Sequence, residues 1–194
     1  MKLRNLKTNF LGRDFYFYEE IDSTQNEIFR RIKKGQIING SVIMADIQTA
    51  GKGTHGRIWH TDEKGNIAFS FYIQTDCEIE RLDGLTIDIA KILVDMFREK
   101  YKINIQIKKP NDLMINNKKI GGILTQGKIN GKYIRYLVIG IGININKKYF
   151  TNDIKDIATS IKNEFEVDID REEVITEFCN IFEKEINRRI KVWK

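Results

Sequence analysis

Between Asp46 and Trp59 the chain reads Asp-Ile-Gln-Thr-Ala-Gly-Lys-Gly-Thr-His-Gly-Arg-Ile-Trp, a glycine-rich basic run hung between two apolar stretches. Gly51, Gly53 and Gly56 leave backbone N–H groups without side-chain cover, while Lys52, His55 and Arg57 crowd positive or proton-exchanging groups around them. Such a loop suits an anion. It lacks the Gly-x-x-x-x-Gly-Lys-Ser/Thr spacing of the phosphate loop. The dinucleotide fingerprint fails too, because Ile-Trp-His-Thr, not a helical pattern, follows the glycines. Taken alone, the run also fits a tight surface turn with incidental charges. Two later stretches carry further chemistry. Lys108-Lys-Pro-Asn-Asp-Leu-Met-Ile115 sets an amide (Asn111) and a carboxylate (Asp112) at a corner fixed by the single proline, and Lys119 precedes Gly121-Gly122, where missing side chains leave room for a close-fitting ligand. A lysine there either stays solvated or aims its ammonium at a carboxylate or phosphate. Asp112 either steers a metal or caps a turn; one carboxylate does not specify a magnesium site. The third stretch, Gly140-Ile-Gly-Ile-Asn144, again permits close approach and offers a polar end on a buried strand.

Regular elements must mount these loops. Phe15–Tyr18, Ser41–Ile47 and Asn66–Ile73 read as strands, so the basic loop is bracketed by sheet. Thr24 and Glu27 have capping-box spacing ahead of a short helix with Ile28 and Ile32 on one face. Ser23 and Thr24 either cap that helix or present hydroxyls to a ligand at its N-terminus. Asp83 to Lys100 is the clearest helix, with Leu85, Ile89, Ile92, Leu93 and Met96 on one face. Asn104–Lys108 reads as a strand, Met114–Ile120 as a hairpin turning at Asn116-Asn117, and Tyr133–Ile143 as a long central strand after a turn near Asn130-Gly131. The tail reads as helices near Asp156–Phe165 and Arg171–Arg189. Asp170 and Glu173 form a capping box for the second, whose apolar stripe includes Val174, Phe178, Ile181, Phe182, Ile186 and Ile190.

With 194 residues the chain has enough material for one substantial core, and no linker or internal repeat divides it. The net charge, 33 basic minus 27 acidic residues or +6, suits an anionic ligand, an acidic protein or nucleic acid without choosing among them. No helix-turn-helix, zinc finger or aromatic-interleaved basic patch occurs, which argues against specific DNA reading. No apolar run reaches membrane-span length and no signal-peptide core follows the N-terminus, so a cytoplasmic protein without membrane association is expected. Cys77 and Cys179 have no metal spacing and read as reduced bystanders, and neither His55 nor His60 forms a relay or metal set with them.

Taken together, Asp22-Ser-Thr, Gln48 to Trp59, Gly65-Asn66 with Ser70, Lys108-Lys-Pro-Asn-Asp-Leu113, Lys119 with Gly122-Ile-Leu, and Gly140-Ile-Gly-Ile-Asn144 resemble the catalytic domain of biotin protein ligases. That domain falls within the group that includes lipoate ligases and octanoyl transferases. The motifs fall in family order over about residues 15 to 146. The resemblance implies an α+β fold, a mixed, mostly antiparallel sheet backed by helices, like the core of class II aminoacyl-tRNA synthetases. It implies adenylation of biotin by ATP with Mg2+, then transfer to a lysine of a biotin carboxyl carrier protein. Ser23, Thr24, Gln25, Gln48, Gly51, Thr54 and Gly122 are implied on the biotin side. Lys52, Arg57, Trp59, Lys108, Asn111 and Asn144 are implied on the nucleotide side. Lys119 would meet both the biotin carboxylate and the α-phosphate, with Arg57 its catalytic companion and Asp112 a candidate for the metal. The basic loop would be mobile when empty and ordered over the water-labile anhydride.

The sequence also departs from the family pattern. Lys52 and Thr54 stand where arginines are usual, and Thr54 cannot supply the lost charge, so faster leakage of the adenylate is expected. Gln25 replaces an asparagine, and Lys109 a tryptophan. One catalytic domain over residues 1–194 is expected, without the N-terminal winged helix of the repressor relatives or their C-terminal barrel-like domain. Dimerisation is common among relatives, and no residue here fixes it. Two further readings remain: a ligase for lipoate or another carboxylate, and a catalytically weak biotin- or carrier-binding protein. Asp22-Ser-Thr with Gln48 favours biotin over a simple fatty chain, because a ureido ring demands several directed hydrogen bonds. The retained Lys108, Asn111, Lys119 and Asn144 argue against binding alone.

Overall fold

The computed structural model describes residues 3–190. Seven strands, β1 (Phe15–Ile21), β2 (Val42–Gln48), β3 (Ile67–Glu78), β4 (Gln106–Lys108), β5 (Asp112–Ile115), β6 (Lys118–Asn130) and β7 (Tyr133–Ile143), form one sheet in the order β1-β2-β3-β7-β6-β5-β4. Only β1 and β2 run parallel, joined through α1 (Thr24–Lys34), and every other neighbouring pair is antiparallel. This is the expected mixed, mostly antiparallel sheet. Helices α2 (Leu85–Tyr101) and α4 (Arg171–Arg189), with the short α3 (Ile161–Phe165), complete it.

Strand alternation divides the work between the two faces. Phe69, Phe71, Ile73, Ile139, Ile141 and Ile143 belong to the main core with Leu93 and Phe97 of α2 and Phe178 and Phe182 of α4. The intervening positions behave differently. Tyr72 and Val138 join Ile28 of α1 in a second apolar cluster, and the register then pairs Ser70 with Gly140 and Ala68 with Gly142. Small side chains therefore open a hollow on the α1 face, while the other face is filled by phenylalanines and isoleucines. A continuous core beneath a sparsely covered face gives a rigid floor for a ligand.

Three local expectations are corrected. The cap of α1 is Ser23, whose hydroxyl accepts from the Asn26 N–H at 3.4 Å, and Glu27 turns outward to Arg30, Arg31 and Tyr18. Thr24 is withdrawn from capping because its N–H donates to Gln48 Oε1 and its hydroxyl meets Ser70. The helix expected from Asp156 shrinks to Ile161–Phe165, since residues 157–159 instead bond alongside β6: Lys119 N–H donates to the Ile157 carbonyl and Thr159 N–H to the Lys119 carbonyl. Asp170 caps α4 as expected, yet Glu173 does not close the box, because its carboxylate is held by Lys100 and Tyr101. The Asn116-Asn117 turn is observed, with both residues at positive φ. Cys77 and Cys179 are buried free thiols, and burial pushes the Cys179 thiol well above its ordinary value.

Candidate functional site

The hollow lies where the ends of β2, β3, β6 and β7 meet the start of α1 and the basic loop. Its deep end is built from short polar side chains on rigid elements. Thr24 N–H and Gln48 Oε1 are 2.8 Å apart, and Gln48 Nε2 donates to the Thr61 hydroxyl at 3.1 Å. The Thr24 and Ser70 hydroxyls share a hydrogen bond of 2.8 Å, and Ser70 donates to Gln25 Oε1 at 2.9 Å. Gln25 Nε2 donates to the Val138 carbonyl and to Gln126 Oε1. Gly140 makes this possible: a Cβ there would lie 2.7 Å from Gln25 Oε1. Asp22, just outside, is held well below the usual carboxylate range, chiefly by Arg30, and with Asn26 it anchors the first turns of α1.

Trp59 is laid against the floor by the same logic. A Cβ on Gly142 would collide with the indole, and one on Gly122 would lie 3.8 Å from it. Gly51 serves the backbone behind this ring: its carbonyl accepts the Trp59 N–H at 2.9 Å, and a side chain there would strike the Trp59 carbonyl. The Lys119 ammonium lies 5.8 Å from the Trp59 ring and donates to Asp112 Oδ1 at 2.5 Å. It is partly exposed, so a solvated anion can reach it. The basic loop turns through a short 3-10 segment, Thr54–Gly56, with His55 and Gly56 at positive φ. Arg57 folds back on this turn, donating to the Thr54 carbonyl at 3.2 Å and its hydroxyl at 3.0 Å. Thr54 thus organises Arg57 within the loop.

Ser23, Thr24, Gln25, Gln48, Lys52, Thr54, Arg57, Trp59, Asn111, Lys119, Gly122 and Asn144 all line one cleft. The two asparagines act partly as braces, Asn111 Nδ2 donating to the Ile123 carbonyl and Asn144 Nδ2 to the Thr159 carbonyl. Gly51, Lys108 and Asp112 are not on the cleft wall: Gly51 is buried behind Trp59, Lys108 is exposed on β4, and Asp112 stands behind Lys119. The sequence reading missed Thr61 and Gln126, and it also missed a whole wall formed by Lys147, Phe150, Ile154, Ile157 and Ala158. The signal available for that wall was an apolar and aromatic scatter after Asn146, which has no period of its own.

A resident metal does not fit these residues. Asp112 is committed to Lys119, and among the described residues no group of three or more His, Cys, Asp or Glu side chains could hold an ion. The arrangement offers a neutral, hydrogen-bonding end joined to a cationic end across a glycine floor. It can hold a polar-headed acid and an anionic partner with the reacting groups near Lys119.

Residues 17–144 match the family described as the biotin/lipoate A/B protein ligase family. The bifunctional ligase/repressor BirA of Bacillus subtilis is 35% identical over 181 residues, covering 92% of this chain and 55% of that protein. The chain thus spans about half the length of the curated relatives it matches. The biotin protein ligase from Aquifex aeolicus, solved in complex with biotin and ATP, superposes with a TM-score of 0.72 at 28% identity, covering 92% of this chain and 73% of that one. The biotin protein ligase from Leishmania major, solved with biotinyl-5-AMP, shares the fold at a TM-score of 0.69 and 24% identity, covering 92% and 77%.

Proposed function

The chain belongs to the biotin/lipoate A/B protein ligase family, and from that premise we propose that it is an ATP-dependent biotin protein ligase acting in the cytoplasm. One oxygen of the biotin carboxylate attacks the α-phosphorus of magnesium-bound ATP. Its P–O bond forms as the bond to pyrophosphate breaks, giving biotinyl-5′-AMP. The neutral amine of a lysine on a biotin carboxyl carrier protein then attacks the anhydride carbonyl. AMP leaves, the nitrogen loses a proton, and an amide remains.

The observation that carries this reading is the placement of Lys119. Its ammonium lines the cleft with both the hydrogen-bonding side chains and the basic loop, 5.8 Å from the Trp59 ring, and in this reading it meets both anions. Holding a carboxylate beside a phosphate requires neutralising both, and the same cation stabilises charge shifting onto the transferring phosphorus group. Asp112 keeps the ammonium oriented until the substrates compete for it. Trp59 and the apolar wall from Phe150 to Ile157 offer flat and greasy surface for a base, and Lys52 and Arg57 supply positive charge at the loop. Biotin suits the deep end better than an aliphatic acid, because a ureido ring can share hydrogen bonds with the Ser23, Thr24 and Gln48 groups that line the cleft, whereas a methylene chain can make none.

Acid-dependent ATP–pyrophosphate exchange by the purified chain, run with biotin, lipoate and octanoate separately, tests the proposal. Exchange with biotin alone, abolished by Lys119→Ala, is the expected result. Exchange with lipoate or octanoate instead would transfer the function to that acid. No exchange with any of the three would overturn adenylation by this chain.

A further inference from the structure

Lys147 is one of two adjacent lysines that look alike in sequence, yet its side chain is 2% exposed while Lys148 lies in the open. The backbone at its root is fixed. Ser160 donates to the Lys147 carbonyl at 2.5 Å, Asn163 donates to the Lys148 carbonyl at 3.0 Å, and the Asn146 amide exchanges hydrogen bonds with the Ile169 backbone. From this anchored root the side chain runs along the cleft wall, passes 5.3 Å from the Phe150 ring centroid, and pairs with the half-exposed carboxylate of Asp62. Asp62 follows Thr61, whose hydroxyl is held by Gln48 and whose carbonyl accepts the Gln48 N–H. The pair therefore bridges the exit of the basic loop and the segment that leaves β7. A second, longer contact joins the same two stretches, His60 Nε2 to Asp153 Oδ2 at 4.0 Å.

Burying an ammonium against one carboxylate gains little stability over an apolar pair, so its value lies in fixing which segments meet. We infer that Lys147 and Asp62 form a strap that holds the basic loop against the 147–158 wall, making Lys147 a positioning residue for the nucleotide half of the cleft. This rests on the ligase reading for its kinetic consequence, though not for its structural one. Lys147 differs from the anion-facing cations in accessibility: Lys119 is 30% exposed and Lys52 and Arg57 are exposed, whereas Lys147 is covered and already neutralised. The pair is also asymmetric. Removing the lysine returns Asp62 to water, while removing the aspartate strands a buried cation.

The test uses Lys147→Met, which keeps the stem and removes the charge, with Asp62→Asn, the double variant, and Asp62→Glu as the conservative control. Two readouts are taken: the KM for ATP in biotin-dependent exchange, and the rate at which trypsin nicks the empty protein at Lys52 and Arg57. A strap predicts that both single variants raise the KM for ATP and the nicking rate about tenfold. Asp62→Asn should be at least as severe as Lys147→Met, the double variant should match Lys147→Met, and Asp62→Glu should stay near wild type. A large loss in Lys147→Met with none in Asp62→Asn would overturn the strap and make the lysine a direct nucleotide contact. Unchanged nicking in both single variants would also overturn it. Nicking is read without turnover, so it judges the strap even if exchange shows the ligase reading to be wrong.

Discussion

At the deep end of the cleft Thr24, Gln25, Gln48, Thr61 and Ser70 hold one another by neutral hydrogen bonds on or beside strands and a helix. At the mouth, Lys119 with Asp112 and Lys147 with Asp62 are ion pairs, and Arg57 is folded onto its own loop. Neutral networks of this kind are worth most when every member is satisfied and the frame is rigid, so the deep end is built before the ligand arrives. At this mouth the partly solvated Lys119 can change partners at small cost, because an incoming anion replaces the carboxylate that leaves, whereas the covered Lys147 stays with Asp62. Under the proposed ligase function, this contrast suits a pocket that recognises one acid and opens and closes around a nucleotide.

Variants can separate the two ends. Lys119→Ala should have the largest effect, lowering biotin-dependent exchange about 10²- to 10³-fold, the loss typical of one cation or donor aimed at developing charge. Biotin-ring recognition should persist, which calorimetry with an uncharged biotin amide would show; its disappearance would mean the ends are not separable. Gly140→Ala should damage the deep end, since the new methyl meets Gln25 and Ser70, both already bonded and unable to retreat. A stability loss of about 1–3 kcal/mol by urea unfolding is expected. Ser70→Ala leaves Gln25 Oε1 without its donor, while the Thr24 hydroxyl keeps Gln48 Oε1. About tenfold weaker biotin binding follows from an unpaired buried group, with the KM for ATP unchanged; an equal rise in both would erase the distinction.

The smallest effect is that of pH. Burial pushes the Asp62 carboxyl up, but Lys147 and the local backbone outweigh it and leave it below the ordinary carboxylate range. A group depressed in this way stabilises fully above its unfolded value, about 3.9, and its contribution is lost as the pH falls through the lower folded value. Below about pH 4 the mouth should therefore loosen while the neutral network stays intact. Pepsin cutting near residues 52–60 should precede loss of the far-ultraviolet circular dichroism of the sheet; simultaneous loss would refute the order.

How much of this was legible beforehand follows the range of the interactions. Strand alternation, the stripes of α2 and α4, the Asn116-Asn117 turn and the glycine spacings are local patterns, and so are the motifs that carried the family resemblance. They singled out the basic loop, Lys119 and the asparagines, which the fold brings to one cleft. Local patterns also misled. Thr24 with Glu27 has the spacing of a cap, yet Gln48 and Ser70, far along the chain, claim Thr24 instead. Ala158, Ile161 and Phe165 have helical spacing, yet β6 recruits residues 157–159 to its side.

By itself the sequence determined the elements, the chemical types at the loop and the family, because each depends on residues close in the chain. Only the tertiary structure decided that Asp112 is paired with Lys119, and that Gly140 and Gly142 make room for Gln25 and Trp59. It alone decided that of two neighbouring lysines Lys147 is buried on Asp62, 85 residues away. Strand order sets which distant side chains share a face, and no spacing along the chain encodes that order.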